Sequence, residues 1–225
     1  MSASARRALI AILVCATVFA VVLHNRGAAA GGEPGAGEIT SEIRAAALNL
    51  DSVTPQDRAW IQAAIATARP EAQRLIAEID GLVTVRTDLR AMGVPQDAIG
   101  LTVPNGHGAD VVLGVDRLNS DRAIDRNMVV LHELGHVIDF LLVDDDLMQK
   151  LDAGIPPSRE CGEALDGAGG CGAVEERFAD TFAKWALRGR FSIAGAGYGV
   201  PTPPSLEDWG MPLGALAIQL DIPKS

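Results

Sequence analysis

The ten residues Val129 to Ile138, read Val-Val-Leu-His-Glu-Leu-Gly-His-Val-Ile, constrain this chain more than any other stretch. With Met128, Phe140, Leu141 and Leu142 they make a helix that is apolar nearly all round, and such a helix is buried on most of its sides. Yet it carries His132, Glu133 and His136, including two of the four histidines of the chain. Polar groups buried without partners cost free energy, so they need an occupation. On a helix of 3.6 residues per turn, His132 and His136 stand one above the other, and their imidazoles can converge on one tetrahedral cation. Glu133, offset by one position, falls beside that cation instead of on it. There it can take a proton from a water whose pKa zinc lowers from about 15.7 towards 7. The alternative, two polar residues on a half-buried helix, leaves the apolar flanks unexplained.

A catalytic zinc takes three protein ligands and leaves one position open. The longer pattern with a following glycine and third histidine is absent, because Asp139 and Leu142 occupy those places, which excludes the metzincins. Downstream, Val174 to Trp185 is strongly helical with acids in its first turn. Glu176 and Asp180 are four apart and share a face: a carboxylate ligand, with an aspartate to accept the N–H of a ligating histidine. Glu175 is the competing ligand, sharing its face with Phe182 and Ala186; the Asp180 pairing favours Glu176.

His132-Glu133-Leu134-Gly135-His136 followed by Glu176-x-x-x-Asp180 resembles the gluzincin metallopeptidases of the thermolysin kind. Glu176-Arg177-Phe178-Ala179-Asp180-Thr181-Phe182 is similar to the third-ligand helix of the anthrax lethal factor catalytic domain. The resemblance covers these two helices and, loosely, the preceding sheet; the interval between the motifs is longer than in thermolysin. It implies an α+β, zincin-like fold and one Zn²⁺ per chain on His132, His136 and Glu176. Glu133 would be the general base, Asp180 would orient a histidine, and the reaction would be peptide-bond hydrolysis. A zinc-containing binding domain or pseudoenzyme is the alternative from another class, against which Glu133 counts, since a structural site needs no base. A zinc amidase acting on cell-wall peptides is a third, which the motif does not separate from a peptidase.

Arg6 and Arg7 precede an apolar run from Ala8 to Leu23, and Ala28-Ala29-Ala30 offers a small-residue cleavage site. The run falls short of the ~20 residues of a spanning helix, which favours a signal peptide over residues 1–30, although His24-Asn25-Arg26 also suits an uncleaved anchor. Cys15, within the run, has no assigned role. The net charge is −10, and loss of residues 1–30 removes three arginines and no acid, leaving −13. Such acidity speaks against nucleic acid or anionic lipid as partner and for a secreted or extracytoplasmic protein; a protein or peptide substrate is what the metallopeptidase resemblance implies. Cys161 and Cys171 remain as an even pair around Gly167, Gly169 and Gly170, the arrangement of a local disulfide in an oxidising compartment. A zinc site on these two thiolates lacks a neighbouring histidine.

Residues 31–37 read as a flexible linker and 38–225 as a single domain. Ile39 to Leu50 is patterned as a helix. A second helix starts at Thr54-Pro55 and breaks at Pro70, and a third runs from Glu71 to Asp80 and stops at Gly81. The period then shortens: Leu82 to Val85, Ile99 to Val103 and Asp110 to Val115 read as strands of a small mixed or antiparallel sheet. The last of them lies nearest the metal helix in sequence and is expected to offer an edge to an extended peptide. His107, between Gly106 and Gly108, reads as a surface-loop residue. The metal helix is expected from near Ile124 to Val143, and Asp144-Asp145-Asp146 as a solvated turn that caps the next helix, calcium being the rival reading. In the tail, Ser205-Leu206-Glu207-Asp208 resembles a helix start, with Trp209 in the core. Tyr198, in a glycine-rich loop after the Glu176 helix, is the candidate donor to the oxyanion of the reaction, with His107 behind it.

Overall fold

A computed structural model describes residues 48–90, 98–121, 123–157, 173–191 and 199–221. It is mixed α and β: α1 (Pro55–Thr67), α2 (Pro70–Glu78), β1 (Val83–Arg86), β2 (Gly100–Asn105), β3 (Gly108–Leu113), α3 (Val115–Ser120), α4 (Arg126–Leu142), α5 (Asp145–Ala153), α6 (Val174–Ala186) and α7 (Leu206–Asp221). Residues 1–47, including the leader and most of the first expected helix, and both Cys161 and Cys171 lie outside the described residues, as does Tyr198. Among the described residues no helix is long and apolar enough to cross a membrane.

The helix signals act largely where they stand in the sequence. Thr54 caps α1 through its side chain, which accepts from Asp57 N–H, and Pro55 takes the first turn. Pro70 ends nothing by itself; it opens α2, where a missing N–H is harmless. Gly81, at φ 74°, supplies the left-handed residue that turns the chain into β1. Leu48 to Leu50 is not helical. Asn49 forms a parallel bridge to Thr84, with Leu48 and Leu50 buried on either side of an exposed Asn49, the period of a strand.

The sheet has the order β1-β3-β2, β1 parallel and β2 antiparallel to β3. The expectation that the last strand would offer an edge is therefore wrong. β3 is the central strand, and its nearly continuous burial fits a strand enclosed on both sides. It also stops at Leu113, because Gly114 turns the chain and Val115 begins α3. Among the described residues β2 is an edge strand, and it packs against α4.

α4 is the axis of the core. Asp125 caps it by accepting from Asn127 N–H and Met128 N–H, and it touches α1, α2, α6, β2 and β3. Leu131, Val137 and Ile138 have no exposure at all. α6 crosses α4 closely because Gly135 has no side chain: a Cβ there would stand 3.0 Å from Ala179 Cα and 3.2 Å from Phe182 Cδ1. Behind the crossing, Phe178, Phe182, Trp185 and Trp209 form an aromatic layer, and Trp209 Nε1 donates to the Leu151 carbonyl at 2.9 Å. The expected start of the last helix holds: Ser205 Oγ accepts from Asp208 N–H, and Trp209 is core.

Candidate metal centre

The two histidines come from the middle of α4 and the carboxylate from the first turn of α6, where an acid also complements the helix dipole. The turn that carries Glu176 is fixed by its neighbour. Arg177 donates to Asp152 Oδ1 at 2.7 Å and to the carbonyls of Asp152, Ile155 and Pro156, which ties α6 to the end of α5. The Gly135–Ala179 approach then sets how near the two helices stand.

His132 Nε2 and His136 Nε2 are 3.1 Å apart, and Glu176 Oε2 lies 3.2 Å from the first and 3.4 Å from the second. Tetrahedral coordination at 2.0–2.1 Å per ligand requires donor separations of about 3.3–3.4 Å, so the spacing fits a zinc-sized ion. The donor chemistry fits as well: two imidazoles and a carboxylate suit zinc and its neighbours among transition metals. Glu176 is only 8% exposed, and its Oε2 is buried without a partner in hydrogen-bonding geometry. A buried carboxylate oxygen in that state calls for a cation. These three residues form a group able to hold a metal ion.

Glu133 does not join the three donors. It is 2% exposed, and its Oε2 accepts from the Thr102 hydroxyl at 2.8 Å. Burial pushes its carboxyl upward, the nearby Glu176 adds to the rise, and the imidazoles and Thr102 oppose it. For Glu176, burial also acts upward, but the contacts and charges of His132 and His136 outweigh it and lower its carboxyl to about 2. His136 goes the other way: burial lowers it, yet Glu176, Glu133 and Asp139 raise it above its ordinary value.

These shifts fix a pH dependence. The Glu176 contribution to the metal-free fold is present above 4.5 and is lost as pH falls towards about 2. The His136 contribution is present below 6.5 and is lost as pH rises through its raised folded value. A cation needs both imidazoles unprotonated, so its binding strengthens as pH rises. The gap in thermal midpoint between metal-supplemented and chelator-treated protein is therefore expected to widen from about pH 5.5 to about pH 8. Melting curves across that range check it, and a gap that narrows contradicts this reading of the cluster.

The remaining expected residues are more scattered. Asp180 is fully buried one turn beyond Glu176, and its ion-pair partner here is Lys184, whose ammonium also donates to the Val200 carbonyl. The burial of Lys184 had no signal in the linear pattern. His107 sits exposed on the β2–β3 turn, its N–H donating to Asn105 Oδ1, as its glycine neighbours implied. Asp144 caps α5 by accepting from Leu147 N–H, and Asp144 to Asp146 are exposed, as a solvated capping turn should be. Thr102 and Gly100, both against Glu133, had no signal in the linear pattern. Comparison with protein-family models, with curated proteins and with solved structures finds no match to this chain.

Proposed function

We propose that this chain is an exported, zinc-dependent peptidase of zincin-like fold and gluzincin type, hydrolysing peptide bonds in a protein or peptide substrate. The observation that carries the reading is the convergence of His132, His136 and Glu176 with a non-ligating, buried Glu133 beside them. His132, His136 and Glu176 would hold the ion. Zinc bound there supplies Lewis acidity, polarising the scissile carbonyl and making a water acidic enough to lose a proton near neutral pH. Glu133 takes that proton and passes it to the departing amine, a role for which burial suits it by raising its affinity for protons towards the working pH. Asp180, one turn beyond Glu176 on the same helix, would orient a ligating histidine.

The outer edge of β2, unpaired among the described residues, is where the substrate would lie. An extended peptide can add to the sheet there, beside α4, with main-chain hydrogen bonds supplying register and Leu101, 39% exposed, an apolar contact. A zinc-stabilised binding domain needs no such base and usually closes its metal with a fourth protein ligand, whereas among the described residues the group has three donors. Incubation of the purified protein with a diverse peptide library tests the proposal. Internal cleavage that a chelator abolishes is the expected result; intact peptides with zinc present contradict it.

A further inference from the structure

We propose that Gly100 and Thr102 of β2 form a holder for the Glu133 carboxylate, with Thr102 the positioning residue of the general base; this rests on the peptidase reading above. The two residues are next-but-one neighbours on a strand and so point to one face, the face that meets α4. Each addresses a different oxygen of the same carboxylate. The Thr102 hydroxyl reaches Oε2 at 2.8 Å, while the bare Cα of Gly100 lies against Oε1 so closely that a methyl group there would overlap it.

The same hydroxyl stands 3.0 Å from the Glu133 backbone carbonyl. It has one proton for two acceptors, and as an oxygen it can also accept. With Glu133 ionised, the proton is given to Oε2. With a proton on Glu133, the hydroxyl can turn to the backbone carbonyl and accept from the carboxylic acid, so the side chain stays seated throughout proton transfer. A carboxylate this close to a cation site and not so held would be free to swing onto the ion and become a ligand. The holder keeps Glu133 a base. Because β2 is also an edge strand among the described residues, the strand that would receive substrate is the one that seats the base.

Thr102→Val removes the hydroxyl and keeps the β-branched shape that suits a strand, Thr102→Ser restores the hydroxyl, and Gly100→Ala disturbs the other oxygen. All three are made in the full chain, and each is followed by metal content, steady-state kinetics and, after cobalt(II) replaces zinc, the visible absorption spectrum, which reports coordination without turnover. In Thr102→Val and Gly100→Ala, kcat is expected to fall about 10–100-fold with KM and metal content little changed, while Thr102→Ser stays within about three-fold of wild type. The cobalt spectrum is expected to shift in Thr102→Val and to match wild type in Thr102→Ser. A Thr102→Val protein with kcat within about two-fold of wild type and an unshifted cobalt spectrum overturns the holder. If the wild type cleaves no peptide, the peptidase reading fails and the cobalt comparison decides alone: a shifted spectrum upholds the holder, an unshifted one overturns it.

Discussion

Glu133→Gln is expected to keep its metal and its fold and to lose about 10²–10⁴-fold in hydrolysis, the range that a positioned general base contributes. The substitution preserves volume, and the amide oxygen can still accept from Thr102, so the holder remains filled. What disappears is the group proposed to take the proton. Stability should move the other way from activity. Burial raises the Glu133 carboxyl above its ordinary value of 4.5, and a carboxylate so raised opposes folding at any pH above that value. Replacing it with a neutral amide removes this penalty, so at pH 7 the metal-free variant should melt no lower than wild type. Parallel kinetics and melting curves check both halves, and near-normal turnover in the variant rules out the base.

Glu176→Ala carries the second large effect: loss of the metal itself. Removing an outer partner of a metal ligand typically weakens binding 10–100-fold, and removing a ligand outright should exceed that. Glu175→Ala, one residue earlier on α6, is expected to retain metal, because the oxygen that meets the two imidazoles belongs to Glu176. Dialysis of both variants against a weak chelator, followed by elemental analysis, separates them. Full metal in Glu176→Ala with loss in Glu175→Ala would transfer the ligand to the neighbouring residue and the Asp180 face argument would fall with it.

Those three donors were legible because each is a matter of local spacing. His132 and His136 one turn apart, and Glu176 in the acidic first turn of an amphipathic helix, follow from 3.6 residues per turn and from helix patterning. Gly135 was legible only as a letter of the motif; its work is to let α6 approach, and that requires knowing that Ala179 faces it. The sheet order was hidden for the same reason. Nothing within Asp110 to Val115 says that β1 will lie on one side and β2 on the other, so the edge was placed on the wrong strand. Thr102 and Gly100 are 31 and 33 residues from Glu133, and their contact exists only once β2 has docked on α4. The burial of Lys184 is not legible until Asp180 and the Val200 carbonyl are found beside its ammonium in the interior.

The account stands most directly on a titration. Protein stripped of metal with a chelator and freed of it is returned to zinc in increments, and the rate of cleavage of one peptide is followed at each step. Hydrolysis is predicted to be absent at the start, to rise in proportion to added zinc, and to level off at about one ion per chain. Cleavage by the stripped protein at the full rate, or zinc uptake to that level with no cleavage by wild type, would contradict it.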